Sequence, residues 1–431
     1  MSNERSGFSS RLGFVLATAG SAVGLGNIWR FPYLAAKYGG GTFLLTYLIL
    51  TLTFGFSLMI TEVALGRKAG TSAIRAFGHF SKKHTFIGYL TTIIPFIIFP
   101  YYCVIGGWVT KYALVSLQGG IHNAASDTFF TGFISKSAEP MICVLVFLIA
   151  TTVVVAGGVK GGVERVSTIM MPVLIVLLIG VSLFCITRPG AMAGVAYYLK
   201  PSLKGFGPTT ILAALGQLFY SMSLAMGIMI TFGSYMPKKA DLEKSVTQVE
   251  LFDTGVAFLA GLMIVPAVFV FSNGDSSMLA KGPSLMFVML PKVFNSMAFS
   301  SVIAAVFFIL VLLAALTSSI SLLETLVAVL MDKFHMKRGT ACITMFIIAL
   351  LLAVPSSLGF GAWSNITILG FDFLDFFDFI SNSVLMPIAA FLTCIFVGYI
   401  IKPKEIIDEV ESSGEFKRKP LFLVMVKYIA P

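Results

Sequence analysis

Long apolar runs alternate with short polar breaks from one end of the chain to the other. A helix needs about 20 apolar residues to cross a bilayer, and apolar periodicity between breaks predicts ten such spans. They cover 11–36, 41–66, 86–118, 139–156, 166–187, 209–236, 245–272, 298–331, 339–355 and 370–401. A further run starts at Leu421 and stops with the chain at Pro431. Polar segments such as 402–420 are too short for a soluble domain.

Two spans are interrupted at mid-depth. The first carries Gly20-Ser21-Ala22-Val23-Gly24-Leu25-Gly26-Asn27, and the sixth carries Ser221-Met222-Ser223-Leu224-Ala225-Met226-Gly227. The sixth span also opens a second group of five. Unwound backbone inside a membrane is tolerated only where it is buried or lines a cavity. Broken helices at matching positions of two halves mark a transport site, where freed carbonyls bind cations and half-helix N-termini face anions. Close packing of small residues is the alternative for either span alone; the match between the two halves favours function.

Composition excludes other classes. The chain has 431 residues, 57% of them hydrophobic and only 12% charged, with a mean hydropathy of +0.93. Soluble domains carry about a quarter charged residues, so a soluble enzyme is excluded. The net charge of +10 comes without a basic stripe interleaved with aromatics, which argues against nucleic acid. Its 30 Lys and Arg instead cluster in alternate loops, 20 on the side of the N-terminus against 6 on the other. That bias predicts cytoplasmic termini and a multi-pass protein of the inner (plasma) membrane, with the lipid bilayer as its surroundings. Cys103, Cys143, Cys185, Cys342 and Cys394 lie at no metal or disulfide spacing and read as packing residues. No cleavable leader is expected, because the first run leads directly into further spans. An intramembrane enzyme would need an HExxH or GxGD motif; neither occurs, and Asn273-Gly274-Asp275 does not fit.

The stretch RLGFVLATAGSAVGLGNIWRFPYLAAKYGGGTF at 11–43 resembles the neurotransmitter:sodium symporter family, the sodium-dependent transporters of the LeuT type. GGVKGGVERVSTIMMP at 157–172, GQLFYSMSLAMG at 216–227, KGPSLMFVMLPKVF at 281–294 and AALTSSI at 314–320 support it. The resemblance implies an all-α polytopic membrane protein of two inverted five-helix repeats with helices 1 and 6 interrupted. The repeats would be 1–187 and 209–401, with 402–431 a cytoplasmic loop and the start of an eleventh span.

The resemblance also implies two Na+ sites. One would use Ala22, Asn27, Ser221 and Asp253, where relatives commonly have Asn at the last position; the other would use Gly20, Val23, Ala314, Thr317 and Ser318. All are oxygen donors, as a hard cation prefers. Without the family, the Thr317-Ser318-Ser319 hydroxyls would read as back-bonded to their own helix. Chloride-dependent relatives hold an anion near the first ion, four positions beyond Asp253, where this chain has Ala257. Asp253 would then supply the negative charge and no chloride is expected. The other reading of Asp253 is a solvated carboxylate at the span end, beside Lys244.

By the same resemblance, Tyr102 and the span 1 backbone at Ala22, Gly24 and Gly26 would hold a substrate carboxylate, with Ser221, Ser223 and Ser318 nearby and Tyr220 as a lid. Amine-transporting relatives have an Asp where this chain has Gly24, so the substrate should keep its own carboxylate. Ile98, Met226 and Leu322 would line an apolar side-chain pocket. The expected function is Na+-coupled import of neutral, hydrophobic or aromatic L-amino acids, with no further protein partner implied. A sodium-dependent amino-acid sensor, or a transporter of another small carboxylate-bearing amine or osmolyte, is the alternative. Arg30 and Asp378 resemble an outer charged gate, and Arg5 and Asp332 a cytoplasmic one. Phe8 stands where relatives often have Trp in the cytoplasmic latch, and Glu62 resembles a carboxylate that supports the first-half break.

Overall fold

The computed structural model describes residues 7–202, 206–272 and 285–431. Arg5, the 273–275 stretch and the beginning of the 281–294 motif lie outside the described residues. The described chain is helical throughout, with eight helices long and apolar enough to cross a membrane, and a ninth if one bent pair is counted as a span. That pair, Arg11–Ala22 and Gly26–Lys37, is span 1, bent by 51° at its break. Spans 2 to 5 are Gly41–Ala69, Lys82–Leu117, Ala138–Ala156 and Val159–Ile186. Span 6 is two shorter helices, Pro208–Ser221 and Ile228–Tyr235. Spans 7 to 10 are Leu242–Phe271, Ser300–Phe334, Arg338–Leu358 and Phe373–Ile400. All ten expected apolar runs are therefore helical, with the two interruptions where the glycines and serines lie.

Several segments expected as loops are helices as well. Ala73–Phe80 buries Ala73, Ile74, Ala76 and Phe77 and exposes Arg75 and His79, an amphipathic pattern too short to register as a span. Ala191–Leu199 lies between spans 5 and 6. Lys404–Glu411 occupies the first part of the loop expected over 402–420, and buries Ile406, Ile407, Glu409 and Val410.

Which face of a span meets lipid follows from helical spacing. Leu45, Ile49 and Leu52 on span 2, and Ile169, Val173, Val176, Ile179 and Leu183 on span 5, are exposed at three- and four-residue intervals. The faces turned inward instead carry small residues, which let backbones approach. A Cβ on Gly66 would lie 1.8 Å from the Ile230 carbonyl oxygen, and one on Gly233 would lie 2.3 Å from that of Val63. Span 2 and the second half of span 6 therefore touch backbone to backbone, as one two-helix unit.

Adding a methyl group at that contact forces the helices apart, an overpacking cost of about 1–3 kcal/mol. Gly66→Ala is expected to lower the melting temperature of the purified protein by several degrees. Gly180→Ala, with nothing within 4 Å of the added carbon, should leave the melting temperature unchanged.

Candidate functional site

Span 1 stops being helical at Ala22. Val23 turns to extended backbone (ψ 98°) and winding resumes at Gly26. The Asn27 side chain repairs part of the gap, its Oδ1 accepting from the Gly24 N–H at 3.1 Å. Span 6 unwinds differently: Ser223, Ala225 and Gly227 take positive φ angles of 53°, 62° and 72° in alternation. Left-handed backbone is uncommon for residues other than glycine and is held only by its surroundings. Here the holders are identifiable. The Ala225 N–H donates to Glu62 Oε1 at 2.8 Å, and the Ser223 hydroxyl donates to the Ser21 carbonyl at 3.1 Å. The Ser21 hydroxyl reaches Ser223 Oγ, also at 3.1 Å, so the two breaks are tied to each other. Glu62 thus bonds the second-half break rather than the first, because span 2 packs along the second half of span 6.

Between the breaks lies a small cavity. Ala22, Gly24, Gly26, Ile98, Tyr102, Tyr220, Ser223, Met226, Ser318 and Leu322 all line it, joined by Ser21, Leu25 and Ile228. The Tyr102 hydroxyl is buried there with no hydrogen-bond partner among the described residues. Glycine at position 24 lets the side chains close in, since a Cβ would sit 2.4 Å from Ser318 Oγ and 3.2 Å from the Tyr102 hydroxyl and would displace them. Tyr220 covers the cavity, its ring so close to Gly26 that a Cβ there would come within 2.7 Å. Ser221 does not line the cavity and instead faces Asp253.

Asp253 is fully buried. Its Oδ1 accepts from Asn27 Nδ2 at 2.7 Å and from the Ser221 hydroxyl at 2.8 Å, and its Oδ2 accepts from the Tyr47 hydroxyl at 3.0 Å. Three neutral donors hold the carboxylate without cancelling its charge. The solvated reading is overturned, because Lys244 lies at the surface and pairs with Asp241 at 3.1 Å. Tyr47 carries no sequence signal: a tyrosine in an apolar run reads as packing until the fold brings span 7 beside it.

A second oxygen cluster forms where span 8 crosses span 1. Ser318 Oγ lies 3.4, 3.0 and 3.4 Å from the carbonyl oxygens of Gly20, Ser21 and Val23, so these three converge on one point. The Thr317 hydroxyl bonds back to the carbonyls of Leu313 and Ala314, both at 3.1 Å, while its Cβ lies 3.3 Å from where a Cβ on Gly20 would be. The second cluster offers only oxygen atoms, and the first offers the Asp253 carboxylate and the Ser221 hydroxyl, with the Asn27 amide turned nitrogen-first to Asp253. Oxygen-rich sites of this kind suit a hard monovalent cation as cotransported substrate.

The expected gates are arranged differently from one another. Arg30 and Asp378 line a second cavity, separated from the first by Tyr220, but they make no ion pair. The Arg30 guanidinium lies 5.1 Å over the Tyr220 ring, and Asp378 accepts from the Tyr101 hydroxyl at 3.2 Å and from Asn382 at 2.5 Å. The separation follows from the cavity standing between them. On the opposite side Asp332 accepts from the Ser72 N–H and hydroxyl at 2.7 and 2.6 Å. Phe8 packs edge-on against Phe14, Phe232 and Tyr235.

Two broken spans, tied together around a small cavity and flanked by two oxygen clusters, define a sodium-coupled secondary transporter with the LeuT-type fold. The model of the Sodium:neurotransmitter symporter family matches residues 5–132 and 128–431. The sodium-dependent transporter YhdH of Bacillus subtilis, itself uncharacterised, is 35% identical over 98% of this chain and 95% of its own length. The human sodium- and chloride-dependent GABA transporter 2 is 25% identical over 99% of this chain and 78% of its own. The crystal structure of MhsT in complex with L-phenylalanine is 38% identical, with a TM-score of 0.91 over 99% of this chain and 97% of that one. The chain belongs to the sodium:neurotransmitter symporter family. It is a sodium-dependent, multi-pass membrane symporter and not an enzyme.

The crowding at Gly24 gives a direct check. Gly24→Ala is expected to keep the melting temperature within a few degrees of the parent, while sodium-dependent uptake into proteoliposomes falls below about a tenth, the scale of losing a site by one carbon.

Proposed function

We propose that this symporter imports neutral, hydrophobic or aromatic L-amino acids together with two Na+ and without chloride, from an inner (plasma) membrane in which its N-terminus is cytoplasmic. The observation that carries this reading is the Tyr102 hydroxyl, buried and unpartnered beside the start of the second half of span 1. A hydroxyl and helix N-terminal amides together suit a carboxylate. Gly24 leaves no acidic partner for an isolated ammonium, so a substrate bringing its own carboxylate fits. Ile98, Met226 and Leu322 give the remaining wall an apolar character suited to an apolar side chain. Relatedness to MhsT, whose structure holds L-phenylalanine, supports that class.

In this reading one Na+ sits at Ala22, Asn27, Ser221 and Asp253, and the other at Gly20, Val23, Ala314, Thr317 and Ser318. Asp253 supplies the charge that chloride brings to other relatives, since its three partners are neutral. Arg30 and Asp378 close the outer cavity when they approach, and Arg5 with Asp332 closes the other end. The two inverted repeats span 1–187 and 209–401. The energetics are sufficient: two charges falling through about 150 mV release roughly 7 kcal/mol, which supports about 10⁵-fold accumulation of a zwitterion.

An uptake screen over the twenty amino acids in proteoliposomes tests the reading. Uptake of at least one apolar amino acid should require Na+ and vanish in K+, because coupling between ion and substrate is reciprocal. Replacing chloride with gluconate should leave it unchanged, and a collapse in gluconate would refute the role given to Asp253. Binding without counterflow would instead favour a sensor. Tyr102→Phe removes one hydrogen bond to a charged group, worth about 1.5–3 kcal/mol, and should raise the KM by roughly 10- to 100-fold.

A further inference from the structure

Away from the transport site, the largest fully buried side chain is a charged one. Arg67, near the cytoplasmic end of span 2 in the proposed orientation, is 1% exposed. A buried guanidinium persists only when paired and hydrogen-bonded, and here every partner comes from a different part of the chain. Its Nε meets the Glu409 carboxylate at 2.8 Å, and its Nη2 donates to the Glu409 carbonyl at 2.5 Å. Its Nη1 donates to the Ala240 carbonyl at 2.8 Å and to the Ser413 hydroxyl at 3.0 Å. Lys238 completes the cluster, its Nζ donating to the Arg67 carbonyl at 2.6 Å and lying 3.3 Å from Glu409 Oε1. The helix Lys404–Glu411 is thereby attached to span 2 and to the turn that follows span 6.

That turn leads back to Tyr235, where the N-terminal segment is seated. The Phe8 N–H donates to the Tyr235 carbonyl at 3.0 Å, and the Phe8 ring packs on Phe232 and Tyr235. The same segment has a second attachment, from the Ser9 N–H at 2.8 Å and the Ser9 hydroxyl at 2.5 Å to Glu164 on span 5. Tyr235 is held by its own hydroxyl, which donates to Glu324 Oε1 at 2.9 Å with Glu324 paired to Arg338, while the backbone that follows it is held at Ala240 and Lys238 by Arg67 and Glu409.

We infer that Arg67 is a positioning residue for transport: with Glu409 it fixes the end of span 6 as the seat on which the N-terminal segment closes. It touches neither substrate nor ion, and acts through Ala240 and Tyr235 on Phe8. Loosening it frees the seat before it disturbs the cavity, so the segment around Phe8 should open more often while the outer parts of the protein stay as they are.

Hydrogen–deuterium exchange on the full-length protein in detergent separates this from a merely structural role, since it reports local opening. In Arg67→Met the peptide over residues 7–15 should exchange about tenfold faster, with peptides from span 8 unchanged. Because removing one member leaves the other charge buried, Arg67→Met/Glu409→Leu serves as the second variant. It should recover the melting temperature yet keep the faster exchange at 7–15, and Arg67→Lys should fall between the parent and Arg67→Met. Unchanged exchange at 7–15 in both Met-containing variants, or acceleration spread evenly over all spans, would overturn the proposal.

Discussion

Backbone N–H and C=O groups released inside a bilayer have no water to turn to, and each must find a partner within the protein. That constraint governs this molecule, because two of its spans are unwound at mid-depth. The partners are side chains: the nearby Asn27 for the Gly24 amide, and from other spans Glu62 for the Ala225 amide and Ser318 and Ser223 for the carbonyls around Ser21. The site is therefore a by-product of repair. Ser21, Ser223 and Ser318 both stabilise the breaks and line the cavity, and a group left short of partners, such as the Tyr102 hydroxyl, is available to a substrate.

Packing makes the repair possible. The Gly66 and Gly233 contacts bring span 2 close enough to span 6 for Glu62 to reach the break, and the same contact carries Arg67 to the end of span 6. Lipid supplies no hydrophobic drive between helices, so this close fit must come from dispersion and hydrogen bonds. The left-handed Ser223 and Ala225 are tolerated because they are held from two sides, by Ser21 and by Glu62.

Much of this was legible in the sequence. The spans followed from apolar run length, and both interruptions from glycines and serines in otherwise apolar stretches. The family motifs carried most of the cavity wall. The partners of the charges were not legible. Asp253 read also as a solvated end charge, and only the meeting of spans 1, 2, 6 and 7 surrounds it with Asn27, Tyr47 and Ser221. Arg30 and Asp378 read as a pair and instead stand apart across a cavity. Short amphipathic helices such as Ala73–Phe80 and Lys404–Glu411 fall below the length at which apolar periodicity speaks.

Run length, composition and local backbone propensity are properties of neighbouring residues, so the sequence by itself determined the membrane class, the apolar helical runs and the location of the breaks. Which polar atom meets which is a property of helix crossings. Arg67 and Glu409 are 342 positions apart, and Asn27 and Asp253 are 226 apart. No periodicity links such residues. Only the tertiary structure could decide that one pair anchors the end of span 6 and the other lies beside a transport cavity, because burial charges heavily for every unpaired ion and leaves few arrangements in which all of them are satisfied.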